Sequence, residues 1–232
     1  MTKYGQFCPV AKATEILGDK WTMLIVRELL LGCTRFNEFQ RAIPKISPTL
    51  LNKRLKELTA HQVVVRKPLP GQKGHEYRLT AAGRELDPLV GQLAVWGMRW
   101  ARGTMADDEL DVSFLMFDIR RRLNVDALPD GQTTLCFCIE DLDGFNNWWL
   151  VINPPAVDLC YEDPGKDVDL YITANAADII GVWMGDIPLS AALRDEKIKL
   201  VGDKHLRQSI ADWFALSSVV GIPGATAQPE TV

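Results

Sequence analysis

Apolar residues recur at helical spacing through the first hundred positions of this chain. Past residue 130 they recur at alternate positions, so the pattern splits the sequence into two halves. In Ile46-Ser-Pro-Thr-Leu-Leu-Asn-Lys-Arg-Leu-Lys-Glu-Leu58, the residues Leu51, Leu55 and Leu58 fall at i, i+4 and i+7. They form one apolar stripe of a helix. Ser47 suits the N-cap and Pro48 the first helical position. Thr49, Asn52, Lys53 and Lys56 form a second, polar stripe turned away from the leucines. Upstream, Thr14 to Leu31 predicts two helices broken near Gly18-Asp19. Asp19 would cap the second, and Trp21, Leu24, Ile25 and Leu29 would be its apolar stripe. Phe36, Phe39 and Ile43 predict a short helix that starts at Thr34 or Arg35 and stops at Pro44. Two short helices with a tight turn between them make a helix-turn-helix. Val63–Lys67 and His75–Leu79 then predict two strands around the turn Pro68–Gly74. A β-hairpin after a helix-turn-helix is a winged helix.

Leu86, Leu89, Leu93, Trp96 and Trp100 follow at alternating steps of three and four, an a/d seam. Pro88 inside it predicts a bend or the helix's true start. The seam packs either on the chain's own core or on a second copy, and the two large tryptophans favour a long dimerisation helix. In the second half, Asp107 to Val125 predicts a helix. Its acidic first turn (Asp107, Asp108, Glu109) and basic end (Arg120, Arg121, Arg122) suit the helix dipole. Strands are predicted over Thr133–Glu140, Asn147–Ile152, Val157–Tyr161 and Val168–Ile172. A helix capped by Asn175, with Asp178 three residues on, comes next. Leu189–Arg194, a strand Lys197–Val201 and a final helix Asp203–Leu216 complete the half. Strands followed by helices predict an α+β domain, its sheet mainly antiparallel with helices on one side. Cys136 and Cys138 share one strand face and are read as core packing.

The 232 residues, 47% hydrophobic and 24% charged, suit one large or two small soluble domains. The net charge of −4 hides an asymmetry. Residues 1–105 carry 17 Lys and Arg against 8 Asp and Glu, whereas residues 106–232 carry 9 against 22. This predicts a basic winged-helix DNA-binding and dimerisation domain over 1–105, an acidic domain over 106–221, and a disordered tail over 222–232. No apolar run reaches the ~18–20 residues of a membrane span. The opening residues lack a signal core, and the cysteine count of five is odd. The prediction is a cytoplasmic protein with reduced thiols and no membrane partner. No nucleophile elbow, zinc-protease motif, P-loop or dinucleotide fingerprint is present, and the cysteines lack zinc spacing. No enzyme, cofactor or metal is therefore expected.

A polar, basic helix face is either solvated surface or a surface for a polyanion. Its place between a tight turn and a basic hairpin points to double-stranded DNA. Thr49, Asn52 and Lys53, near the helix start, can reach base edges in a major groove. Arg54 and Lys56 lie further along and would touch phosphate, whereas the wing, with Lys73 at its tip and Arg66 on its stem, suits phosphates or a minor groove. Arg35 and Ser47 complete the candidate set. A two-fold dimer would set two such helices about one DNA turn apart, ~34 Å, and read a palindrome.

Cys8-Pro9, Gly18-Asp-Lys-Trp-Thr22, Arg35-Phe-Asn-Glu-Phe39, Ile46-Ser-Pro-Thr49 with Leu51 and Leu55, Glu76-Tyr-Arg-Leu-Thr80 and Trp96-Gly97 occur in order. Over residues 5–103 the chain resembles the HxlR-type winged-helix regulators, which are related to the MarR-type fold. That resemblance implies a dimer and DNA binding. Some members sense oxidants or electrophiles through a cysteine near the N-terminus. Cys8 holds that place, and reactivity there would need exposure and a depressed pKa. Residues 113–216 are similar to the sterol-carrier-protein fold, through Asp169-Leu-Tyr-Ile-Thr-Ala, Asp178-Ile-Ile-Gly-Val-Trp-Met-Gly185 and the Gly202-Asp203 after the last strand. This implies an apolar cavity and a hydrophobic small-molecule effector. Candidate lining residues are Trp149, Trp183, Met184, Ile187, Leu193, Trp213 and Phe214, each of which could instead fill the core. Two alternatives stand beside the effector-controlled regulator: a lipid carrier with a dimerising N-terminal module, and a thiol switch at Cys8.

Overall fold

Polar caps and buried stripes set the helices of the first half. The computed structural model describes residues 3–71, 73–101 and 110–223. The chain divides into two units, Met1–Gly97 and Met98–Val232. The predicted boundary after residue 105 falls outside the described residues. So does most of the predicted tail, from 224 onward.

In the first unit, α1 (Pro9–Leu17) opens on a proline after Cys8. Helix α2 (Thr22–Leu30) buries Ile25, Val26 and Leu29. Helix α3 (Phe36–Ala42) is closed at its start by Glu38, whose carboxylate accepts the Thr34 and Arg35 N–H groups at 2.7 and 2.9 Å. Helix α4 (Pro48–Ala60) begins as predicted, with the Ser47 hydroxyl accepting the Leu50 N–H at 3.3 Å. Leu51, Leu55 and Leu58 are buried, each contributing about 1.5–3 kcal/mol by leaving water. Strands β1 (Val64–Pro68) and β2 (His75–Leu79) pair antiparallel from Val64↔Leu79 to Pro68↔His75. Tyr77 of β2 meets Phe39 of α3 edge-on at 6.3 Å, which ties the wing's base to the helices. Helix α5 (Ala81–Arg84) is capped by Thr80. It comes so near β1 that a Cβ at Gly83 would strike the Val63 carbonyl. Helix α6 (Asp87–Trp96) runs into a π-helical turn, Gly97–Ala101. Pro88 lies in its first turn, so this proline marks a start and not a bend.

Asp19 does not cap α2. Trp21 holds that position, with a left-handed φ of 79°, and Asp19 turns to Arg54 at 2.6 Å instead.

The second unit is an α+β layer pair. Strands β3 (Thr133–Ile139), β4 (Asn147–Asn153), β5 (Ala156–Cys160), β6 (Leu170–Ala174) and β7 (Ile198–Gly202) form a sheet in the order β5-β4-β3-β6-β7. Its pairs are antiparallel except β3 with β6. One sheet face supplies Leu135, Phe137, Ile139, Trp148, Leu150 and Ile172 to the core. Helices α7 (Val112–Arg122), α8 (Ala176–Met184), α9 (Leu189–Arg194), α10 (Lys204–Gln208) and α11 (Ile210–Trp213) supply the rest.

Local chemistry departs from prediction at three places. Helix α7 is capped by Asp111, which accepts the Phe114 N–H at 2.9 Å; residues 107–109 lie outside the described residues. Asn175 stands at the N-cap of α8, but Asp141 accepts the Ala176 N–H, at 2.8 Å. The final helix divides at Ser209 into α10 and α11. The arginines of α7 bond within the unit: Arg120 donates to the Val157 carbonyl at 2.7 Å, and Arg121 and Arg122 close on Asp118 at 2.6 and 3.4 Å. Among the described residues no helix is long and apolar enough to cross a membrane.

Candidate nucleic-acid interface

The leucine stripe fixes which side of α4 looks outward. With Leu51, Leu55 and Leu58 buried, Thr49, Asn52, Lys53 and Lys56 stand exposed together on the other side, and Ser47 is exposed at its head. Lys53 has an exposed contact of 3.9 Å with Glu57, a pair too weak to hold it from another anion. Arg35 is exposed at the head of α3, its residue bridged to Glu76 of the wing. That bridge brings the start of α3 beside β2, which is paired with β1 on its other side.

On the wing, Arg66 and Lys73 are exposed. Arg66 donates to His75 Nδ1 at 2.9 Å across the strand pair. Glu76 would place a negative charge among these cations. Arg78 takes it in two hydrogen bonds, at 2.8 and 2.9 Å, and holds its carboxyl below the usual range. The pairing of Arg78 with Glu76 was not read from the sequence, although their i, i+2 spacing on one strand face carries the signal.

Arg54 is a correction. It is only 8% exposed, and its guanidinium bonds to Asp19 at 2.6 Å, to Glu57 at 2.7 Å and to the Lys20 carbonyl at 3.2 Å. It fastens α4 to the turn before α2 and is not placed on the outward face.

Leu89, Leu93, Trp96 and Trp100 are 45 to 64% exposed, Leu86 is half-buried, and α6 has no buried residue. An apolar row of this size on one helix is unusual surface for a lone soluble chain.

The seven candidate ligand residues do not converge. Trp183, Trp213 and Phe214 are buried against one another, with ring centroids 5.7 Å (Trp183–Phe214) and 6.0 Å (Trp213–Phe214) apart. Both indoles are satisfied: Trp183 donates to Asp118 at 3.2 Å and Trp213 to the Leu206 carbonyl at 3.0 Å. Met184, Ile187 and Leu193 pack at the margin of that core. Trp149 alternates with Trp148 and Leu150 on β4, so it leaves the opposite face of the sheet. An open cleft of about 510 Å³ lies instead between Val125–Gln132 and Asn153-Pro154. Another, of about 380 Å³, includes Leu193 beside Ile198, Leu200 and Arg207. Cys8 is half-buried at the N-cap of α1.

Comparison with known proteins follows the same division. Residues 16–105 match the HxlR-like helix-turn-helix family, and residues 123–215 match the SCP-2 sterol transfer family. Over 105 residues the chain is 38% identical to the HTH-type transcriptional regulator YvaP of Bacillus subtilis (strain 168), covering 44% of this chain and 97% of that protein. YdeP, an HTH-type transcriptional regulator of the same strain, is 36% identical over 96 residues, 40% of this chain and 73% of its own. The solved structure of the redox regulator HypR in its oxidized form is 38% identical and covers 39% of this chain and 94% of that chain, with a TM-score of 0.37.

Proposed function

From the premise that this chain belongs to the HxlR-like helix-turn-helix transcriptional regulators, we propose that it acts as a homodimer reading a palindromic operator with paired α4 helices. The observation that carries this reading is the outward face of α4, where Thr49, Asn52, Lys53 and Lys56 stand free of the core. Asn52 suits the N6/N7 edge of adenine, Lys53 suits guanine, and the Thr49 methyl suits thymine. Arg35, Lys56, Arg66 and Lys73 supply the sequence-blind attraction to phosphate. The exposed row on α6 and the π-helical turn after it supports the dimer, since a second copy would cover Leu89, Leu93, Trp96 and Trp100.

The acidic half is the effector domain in this reading, and its match to the SCP-2 sterol transfer family supports an apolar ligand. Because Trp183, Trp213 and Phe214 fill the core, such a ligand enters by parting them or by using the clefts at its margin. It affects transcription only if it binds the DNA-competent state and its alternative unequally.

The test is selection of binding sites from a random duplex pool, followed by affinity measurements on the recovered site. A two-fold symmetric site is expected, with Asn52→Ala flattening the preference at one base pair of each half-site. Sedimentation of the Trp96→Glu, Trp100→Glu double variant should give a monomer. Recovery of no common site, or an unaltered preference in Asn52→Ala, would overturn the assignment of α4.

A further inference from the structure

The sheet face turned away from the second unit's core carries sulfur that DNA reading does not use. Cys136 and Cys138 alternate on β3 with Leu135, Phe137 and Ile139, so both project to this outer side. Cys136 is buried, as core packing expects, but on the face opposite the main hydrophobic cluster, and Cys138 is only half-buried there. Their Sγ atoms lie 3.6 Å apart. β3 is the middle strand, held by β4 on one side and β6 on the other, so the two sulfurs keep their spacing. Trp149 stands across from Cys136, and Cys160 across from Trp149, while Thr173 of β6 stands beside Cys138.

The two thiols differ. Cys136 is 2% exposed, and Cys138 is only half-buried. The hydrogen bond that the two sulfurs share, with help from the Thr173 hydroxyl, draws the Cys138 thiol down to about 7, against burial and the charge of Glu140. The same bond, together with burial and the charges of Cys138 and Asp163, pushes Cys136 up. Cys160 on the same face is pushed up by burial and by Asp158. One sulfur thus leans toward the thiolate and is reachable, its neighbour leans toward the thiol and is sheltered, and Cys160 on the same face also leans toward the thiol. Among the described residues no third metal-binding side chain joins the pair, which directs its chemistry to oxidation.

We propose that Cys138 and Cys136 form a hydroperoxide-reactive pair, with Cys138 the attacking sulfur and Cys136 the resolving one. The Cys138 thiolate attacks the terminal oxygen of ROOH. The O–O bond breaks, the departing alkoxide takes a proton from water and leaves as ROH, and Cys138 becomes a sulfenic acid. Cys136 then attacks the Cys138 sulfur. The S–S bond forms as the S–O bond breaks, and hydroxide departs with the Cys136 proton as water. Two thiols are oxidised by two electrons, and one hydroperoxide is reduced to an alcohol and a water. The oxidant has to reach Cys138 alone, because Cys136 acts from beneath. Residues i and i+2 of a strand are ~6.4–6.8 Å apart at Cα, the outer limit for a disulfide. The product is therefore strained and easily returned by a dithiol reductant.

The test is thiol mapping by mass spectrometry on the full chain, after sub-stoichiometric hydrogen peroxide and an iodoacetamide quench. The peptide holding both cysteines should lose two hydrogens and escape alkylation before Cys8, Cys33 or Cys160 changes, and dithiothreitol should reverse this. In Cys136→Ser the sulfenic acid should persist and be trapped by dimedone. In the unmutated chain at neutral pH, iodoacetamide should modify Cys138 about tenfold faster than Cys160. Oxidation beginning at Cys8 or Cys160 while the pair stays alkylatable, or equal alkylation of Cys138 and Cys160, would overturn the proposal.

Discussion

Arg54→Met asks whether the buried arginine of α4 belongs to the fold or to DNA reading. The methionine keeps the apolar stem and removes the guanidinium. Asp19 and Glu57 then lose their cation, and the Lys20 carbonyl loses its donor. Hydrogen bonds to charged groups contribute about 1.5–3 kcal/mol each where water is excluded. Here the Asp19 side chain is 40% exposed and that of Glu57 22%, so both carboxylates regain water. We therefore expect a total near ~2–3 kcal/mol. For a unit of this size that lowers its unfolding midpoint by roughly 10–20 °C. Calorimetry on the full chain would follow the first unit's transition beside the second's, because the two need not unfold together. In parallel, operator affinity would be measured across a salt series below the lowered midpoint. The slope of log affinity against log salt should not change, since no phosphate contact is lost. An unmoved midpoint with a slope shallower by about 0.9 would mean that Arg54 reaches phosphate after all, and would refute the structural role.

Lys56→Ala should do the reverse, leaving the midpoint in place and making the salt slope shallower by about 0.9, measured by fluorescence anisotropy. Trp213→Ala removes a wholly buried ring and its bond to Leu206; urea unfolding should show the second unit weaker by about 3–5 kcal/mol. Alkylation of Cys138 should climb with pH around a midpoint near 7, because the thiolate is the reacting form and the Cys136 bond favours it over the charge of Glu140. A midpoint at or above the ordinary thiol range would show that the bond between the two sulfurs does not form in solution.

The outline of the reading head was legible because its signals are local. Ser47-Pro48 states where α4 begins, and the spacing of Leu51, Leu55 and Leu58 states which side is buried. The wing was legible from two short runs around Pro68–Gly74. Arg54 was misread because its charge was weighed before its position. It stands three residues after Leu51 and four before Leu58, on the flank of the apolar stripe, and a cation there needs a partner from another element. Nothing local names Asp19, 35 residues upstream. In the second half, alternation on β3 put Cys136 and Cys138 on one face, but a strand's own pattern does not tell which face the helices cover. The pairing of β3 with β6 is parallel and jumps two strands, so only the assembled sheet reveals it. The same gap separated Trp149 from the other aromatic candidates.

Among the described residues β5 ends the sheet, with β4 on one side and no further strand on the other. A bare strand margin offers its amides and carbonyls to any extended peptide that drifts past, which is how sheets recruit strangers and grow into aggregates. Arg120 reaches from α7 to this margin and occupies the oxygen of Val157. An arriving strand would find that acceptor taken, by a bulky cation, within a run of only five residues. A side chain at the basic end of α7 thus guards the sheet's margin against a sixth strand.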